Sequence, residues 1–163
     1  MIDSSDFRTD NIRVSREIAA DSGRVWELVS DLPRMGEWSP EATGGRWRGG
    51  ASKPSKGARF VGHNRSGWRR WSTLATVVEC NPGSSFAFDI TSGPVKVARW
   101  RYDIESTSNG CRVTETWEDH RSAFFARATS LLTGVSDRSE RNRLNMTATL
   151  EALAETAEAD SGN

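Results

Sequence analysis

Apolar and polar positions alternate from Ile12 to Ile18, with Ile12, Val14, Arg16 and Ile18 against Arg13, Ser15 and Glu17. That two-residue period predicts a strand with one buried face. The period then changes. Asp21 is placed to cap a helix carrying Val25, Trp26, Leu28 and Val29 on one side, which Ser30-Asp31-Leu32-Pro33 ends. A further helical turn over Arg34 to Trp38 is closed by Pro40. Beyond it the chain reads as short alternating runs: a strand at Thr43 to Arg48, a mobile Gly/Ser/Lys/Pro-rich loop to Gly57, and strands near 59–64, 70–79, 84–91, 96–105 and 111–119. Gly67, Pro82-Gly83, Gly93-Pro94 and the stretch Ser106 to Gly110 mark the turns between them.

Two faces are clearest between Val97 and Glu105, where Ala98, Trp100, Tyr102 and Ile104 alternate with Arg99, Arg101, Asp103 and Glu105. One face of the sheet is therefore wet. From Phe124 the spacing turns helical: Phe124, Ala128, Leu131, Leu132 and Val135 suit a short helix interrupted at Gly134. A second helix begins near Asp137, with Glu140 completing a capping-box-like pattern, and carries Met146, Leu150, Leu153 and Ala157 on one stripe. That stripe is expected to face the sheet. The organisation is a disordered N-terminus at 1–10, a single domain over 11–158 and a disordered tail at 159–163.

Composition narrows the picture. Lys plus Arg equals Asp plus Glu at 22 each, so no general field draws in nucleic acid or an acidic membrane. Cys80 and Cys111 form neither a CxxC pair nor a zinc spacing, and they read as free thiols of a reducing compartment. No segment approaches the ~20 apolar residues of a membrane span. The expectation is a cytoplasmic protein with no stable membrane insertion.

Carried through every strand, the alternation marks a candidate concave face: Phe60, Gly62, Asn64; Trp71, Thr73, Ala75, Val77; Phe86, Phe88, Ile90; Trp100, Tyr102; Val113, Glu115, Trp117. Such a wide apolar surface with a few polar groups suits a ligand pocket, and it equally suits a core filled by the C-terminal helix. Within it the expected ligand-binding residues are Phe60, Asn64, Trp71, Thr73, Phe88, Trp100, Tyr102, Glu115 and Trp117, together with Met146 from the helix. Glu115 is the candidate catalytic residue. Its neighbours Val113 and Trp117 turn it inward, where desolvation raises a carboxyl's pKa and suits it to acid/base work. The structural alternative is a carboxyl satisfied by a buried network with Asn64 and Tyr102 as companions.

Other chemistry recedes. His63 falls on the outer face and His120 at a strand end, where a proton shuttle at the cavity rim competes with a solvated loop histidine. No metal cluster, GxSxG elbow or phosphate-cradling glycine loop is present in the sequence, so neither metal nor cofactor is expected. The run Arg65-Ser66-Gly67-Trp68-Arg69-Arg70-Trp71 would grip single-stranded nucleic acid if its aromatics were free to stack. A hairpin with solvated arginines and an inward Trp71 accounts for it without a nucleic-acid partner. Arg138, Arg141 and Arg143 read as the wet side of a helix.

The element order and the segments VSREIAADSGRVWELVSDLPRMGEWSP, GARFVGHNRSGWRRWSTLATVVECNPGSSFAFDI and ARWRYDIE, followed by CRVTETWE, resemble the START-like, or SRPBCC, superfamily. Within it the chain is similar to the bacterial polyketide cyclase/dehydrase and lipid-transport branch, over roughly residues 11 to 158. The resemblance implies an α+β helix-grip fold: a seven-stranded curved antiparallel sheet around a long C-terminal helix, with two short helices between strands 1 and 2. It implies a cavity for a hydrophobic or aromatic small molecule, lipid- or polyketide-like, as the partner. Fold-level likeness does not choose among a binding protein, a cyclase or dehydratase using Glu115, and an interaction module with a closed core.

Overall fold

The structure, a computed structural model, describes residues 11–133 and 137–160. The expected disorder at 1–10, the helix break at Gly134, Val135 and the last three residues lie outside the described residues. Strand β1 (Asn11–Ile18) leads into α1 (Ser22–Ser30), whose N-cap Asp21 accepts a hydrogen bond from the Gly23 amide at 2.9 Å. Pro33 then lies in the first turn of a short 3-10 helix, Leu32–Glu37, where its fixed φ suits the helix and its missing N–H costs nothing. Both short helices fall between strands 1 and 2.

Six strands follow: β2 (Ala42–Arg48), β3 (Arg59–Ser66), β4 (Arg69–Asn81), β5 (Ser85–Ser92), β6 (Val95–Thr107) and β7 (Gly110–Asp119). All pair antiparallel in one sheet ordered β1-β7-β6-β5-β4-β3-β2. The first strand therefore closes onto the last, with Ile12 opposite Trp117 and Ile18 opposite Cys111, while β2 forms the other edge. Register shifts at Ala42/Gly44, Val77/Glu79 and Ile90/Thr91 interrupt the alternation, and such bulges bend a sheet. The shift after Val77 also turns Glu79 to the outer face, where Arg101 meets it.

Helix α2 (Ala123–Thr133) leaves Leu131 82% and Leu132 67% exposed, so these two leucines are not packed away. Helix α3 (Arg138–Asp160) starts where Asp137 accepts from the Glu140 amide at 3.0 Å. It runs through Ala159 and Asp160, which the sequence reading placed in the tail. At about 1.5 Å per residue it is long enough to cross the whole sheet. Met146, Leu150, Leu153 and Ala157 are all buried on it, as their spacing predicts. This is the helix-grip architecture.

The main core joins the C-terminal half of α3, through Leu150, Leu153, Ala154 and Ala157, to Val25, Leu28 and Val29 of α1 and to Val77, Phe86, Val113 and Ile104 of the sheet. Trp26 locks α1 in place by donating its Nε1–H to the Ser85 carbonyl at 2.9 Å. A smaller cluster of Ile12, Ala98, Trp117 and Met146 lies under the N-terminal half of α3. Between these two clusters the packing is incomplete.

Candidate functional site

The gap is a cavity of about 250 Å³ between the inner face of β3–β7 and the N-terminal half of α3. All ten residues expected to bind ligand border it: Phe60, Asn64, Trp71, Thr73, Phe88, Trp100, Tyr102, Glu115, Trp117 and Met146. Of the wider concave face, Gly62, Ala75 and Ile90 also line it, whereas Val77, Phe86 and Val113 are sealed in the main core. Trp100 and Trp117 are direct cross-strand partners whose rings lie 6.4 Å apart, and they form one apolar wall.

Glu115 stands in that wall. Its register partner on β6 is Tyr102, whose hydroxyl donates to Oε1 at 2.8 Å. The other oxygen, Oε2, is buried without a hydrogen-bond partner. Burial in this apolar setting pushes the carboxyl up to about 8, while the Tyr102 hydrogen bond pulls the other way. Burial also raises the Tyr102 hydroxyl far above its ordinary range, with the adjacent carboxylate charge adding to it. A carboxyl raised this far favours its neutral form at neutral pH, with the Tyr102 phenol donating to Oε1 and Oε2 left without a partner among the described residues. The carboxyl is only 2% exposed, so it is unpaired on one side but not open to bulk solvent.

Asn64 is not a companion of Glu115. Three strands separate β3 from β7, and the Asn64 amide instead donates to Thr73 Oγ1 at 3.4 Å. The histidines add no acid/base partner to Glu115. His63 is exposed at the cavity's border with its Nδ1 2.9 Å from Ser72 Oγ, and His120 is exposed beside Glu118 at 3.4 Å. The proton-shuttle reading of His120 has no geometric support, because its ring is turned to the outer-face Glu118.

Sequence reasoning missed the mouth. Arg138 is not on a wet helix side: its guanidinium donates to Glu41 Oε2 at 2.8 Å, with both side chains mostly buried, and lies 5.8 Å from the Trp71 ring centroid. Arg141 reaches the other Glu41 oxygen at 3.4 Å. No local signal announces a pair separated by 97 residues. Asn142, Asn145 and Thr149 also line the cavity. Their signal was present, because Asn142 and Asn145 extend the Met146–Leu153 stripe toward the N-terminus and Thr149 falls within it, four residues before Leu153. Among the described residues, no group of three His, Cys, Asp or Glu is arranged to hold a metal ion.

A single curved sheet gripping one long C-terminal helix defines a helix-grip protein. The chain belongs to the polyketide cyclase/dehydrase and lipid-transport family, which it matches over residues 9–158. A Polyketide_cyc-like protein of Corynebacterium glutamicum is 30% identical, over 93% of this chain and 91% of that one, with a TM-score of 0.58. The di-domain ARO/CYC StfQ of the steffimycin biosynthetic pathway shares the fold at 13% identity and TM-score 0.73, over 94% of this chain and 52% of that one. Ginseng (Panax ginseng) major latex-like protein 151 shares it at 11% identity and TM-score 0.68, over 91% and 97%. No curated protein matches the chain.

Proposed function

We propose that this protein binds a hydrophobic or aromatic small molecule, lipid- or polyketide-like, in the cavity between the sheet and α3. The observation that carries the reading is the Glu115 carboxyl, buried and half unsatisfied in an otherwise apolar cavity wall. A ligand ring or chain replaces water against Trp100, Trp117 and Phe88, and a ligand carbonyl or hydroxyl oxygen accepts the Oε2 proton. Asn64, Thr73 and Trp71 meet its outer end. The cavity is near the lower limit of drug-sized pockets, which run from about 300 Å³ upward. It therefore suits a compact ring system, or one end of a longer chain emerging past Trp71. The free thiols of Cys80 and Cys111 fit a reducing cytoplasm.

Native mass spectrometry of protein purified from its own host tests this directly: a co-purifying apolar ligand is expected. A hydrophobic fluorophore should accept energy from the cavity tryptophans and be displaced by that ligand. Failure of the chain to hold any apolar compound in both assays would overturn the reading in favour of a closed interaction module.

A second reading is a cyclase or dehydratase in which Glu115 moves a proton and Tyr102 positions it. The pKa near 8 favours it, since a carboxyl poised near neutrality exchanges protons with a bound substrate at little cost. Glu115→Gln separates the two. A carrier keeps its affinity within about tenfold, or ~1.4 kcal/mol. A catalyst keeps binding and loses about a hundredfold or more in turnover. The lack of open solvent access to Glu115 favours the carrier.

A further inference from the structure

The outer face of the sheet is divided by charge. Between Glu41 and Glu79 the chain carries eight basic residues and not one Asp or Glu, although the whole protein is neutral. The segment folds into β2, β3 and most of β4, the edge half of the sheet. Arg46, Arg48, Arg59, Arg65 and Arg70 alternate opposite the cavity-lining positions, so they share the outer face, and all are exposed. Two pairs are directly opposed across strands, Arg48 with Arg59 and Arg65 with Arg70. Like charges in that register destabilise a sheet.

Nothing in the described structure relieves them. Ion pairs of the described residues involve none of the eight. The bounding acids are occupied elsewhere, Glu41 by Arg138 and Glu79 by Arg101. On the other half of the same face four acids answer three of the arginines: Arg99 holds Asp89, Arg101 holds Glu79 and Asp103, and Arg112 holds Glu17. Charged edges protect a sheet from pairing with other chains, but that accounts for β2 alone, whereas Arg59, Arg65 and Arg70 lie on interior strands.

We propose that the outer face of β2–β4, with the β3–β4 hairpin tip, docks onto an anionic lipid bilayer. At the tip Gly67, at φ +59°, makes a two-residue turn that holds Trp68 out at 81% exposure between Ser66 and Arg69. An indole on a basic projection suits the headgroup level of a membrane, where Trp is enriched and clustered Lys and Arg are drawn to anionic lipid. Nucleic acid fits less well. Stacking needs open aromatic faces, but Arg69 already sits 4.5 Å over the Trp68 ring, Trp71 lines the cavity and Trp47 packs on Phe60. Docking of this kind is peripheral, requires no spanning helix and does not depend on what the cavity holds.

Co-sedimentation of the full chain with phosphatidylcholine vesicles, with and without phosphatidylserine, tests the proposal. Binding is expected only with the anionic lipid, and is expected to vanish at about 1 M salt, where the Debye length falls to about 3 Å. Arg59→Glu with Arg70→Glu should cut it at least tenfold. Each new carboxylate faces an arginine across the strands, so this variant replaces repulsion with attraction and remains folded by circular dichroism. Arg13→Glu with Arg112→Glu makes the same change in net charge on the other half and should leave binding within twofold. Trp68→Phe should remove the blue shift in emission on vesicles. Equal binding by the two double variants, no preference for phosphatidylserine, or oligonucleotides displacing the protein from vesicles would each overturn the assignment. Fluorophore binding in the cavity is measured without vesicles, so its result is independent of this one.

Discussion

The two ends of the groove between sheet and α3 are built from the same strand faces and finish differently. At the C-terminal end of α3, Leu153, Ala154 and Ala157 meet Phe86, Val77 and Val113, and α1 closes the side with Val25, Leu28 and Val29. At the N-terminal end α3 presents Asn142, Asn145 and Thr149 to a wall of tryptophans, and among the described residues α2 reaches the cavity only through Leu132, which is itself 67% exposed. One end is a core and the other is a cavity. The difference teaches that inward orientation is shared by all these residues, while enclosure depends on how many layers converge above them.

The largest expected contrast is in stability. Phe86→Ala, at a position with no exposure, should cost about 3–5 kcal/mol, because it removes a large side chain from a site packed on all sides. Trp71→Ala at the mouth should cost only about 1 kcal/mol, because one side of the ring already faces open space. Urea midpoints of the two variants compare the ends directly, and equal losses would erase the distinction.

The next concerns Glu115 and pH. Its folded pKa of about 8 lies above the ordinary 4.5, so between those values the folded state binds the extra proton. The stability this contributes is fully present below pH 4.5 and is lost as pH rises through 8. Across that window the wild type should lose stability with a slope approaching about 1.4 kcal/mol per pH unit from this one group. Glu115→Gln lacks the slope. Its advantage over wild type should grow with pH and level off above 8, as read from urea titrations at several pH values. Parallel curves for the two proteins would show that the carboxyl is not held neutral.

Glu41→Gln should loosen the open end alone. It leaves Arg138 mostly buried without its counter-charge, at a cost of about 1–3 kcal/mol. Amide exchange should quicken in the first turns of α3 and not around Leu153. The smallest effect on the fold belongs to Ala75→Phe, which fills space at the cavity wall. It should weaken fluorophore binding about tenfold while stability falls by less than about 1.5 kcal/mol. Unchanged affinity in the folded variant would move the binding site elsewhere.

Much of this fold is legible in local pattern because strands and helices announce their periods. The alternation in 97–105 and the α3 stripe place Trp100, Tyr102 and Met146 inward without any knowledge of their neighbours. The Asp21 and Asp137 caps and the Gly67 and Gly93 turns likewise depend on residues a few positions apart. The mouth of the cavity does not. Glu41 and Arg138 meet only because the edge strand β2 and the start of α3 converge, and Arg138 on sequence alone is one more charge on a helix.

By itself the sequence determined which side chains of the central strands and of α3 face inward, the order and type of the elements, and that a carboxyl enters an apolar face at Glu115. These follow from short-range sterics and the two periodicities of the backbone. Only the tertiary structure decided that Val77, Phe86 and Val113 are sealed while Trp71, Trp100 and Trp117 border the cavity, that Tyr102 rather than Asn64 answers Glu115, and that Arg46, Arg48, Arg59, Arg65 and Arg70 share one outer face without ion-pair partners among the described residues. Strand order, the bulges and the angle of α3 set these outcomes, because burial and charge pairing are properties of what lies across a gap, which no single segment contains.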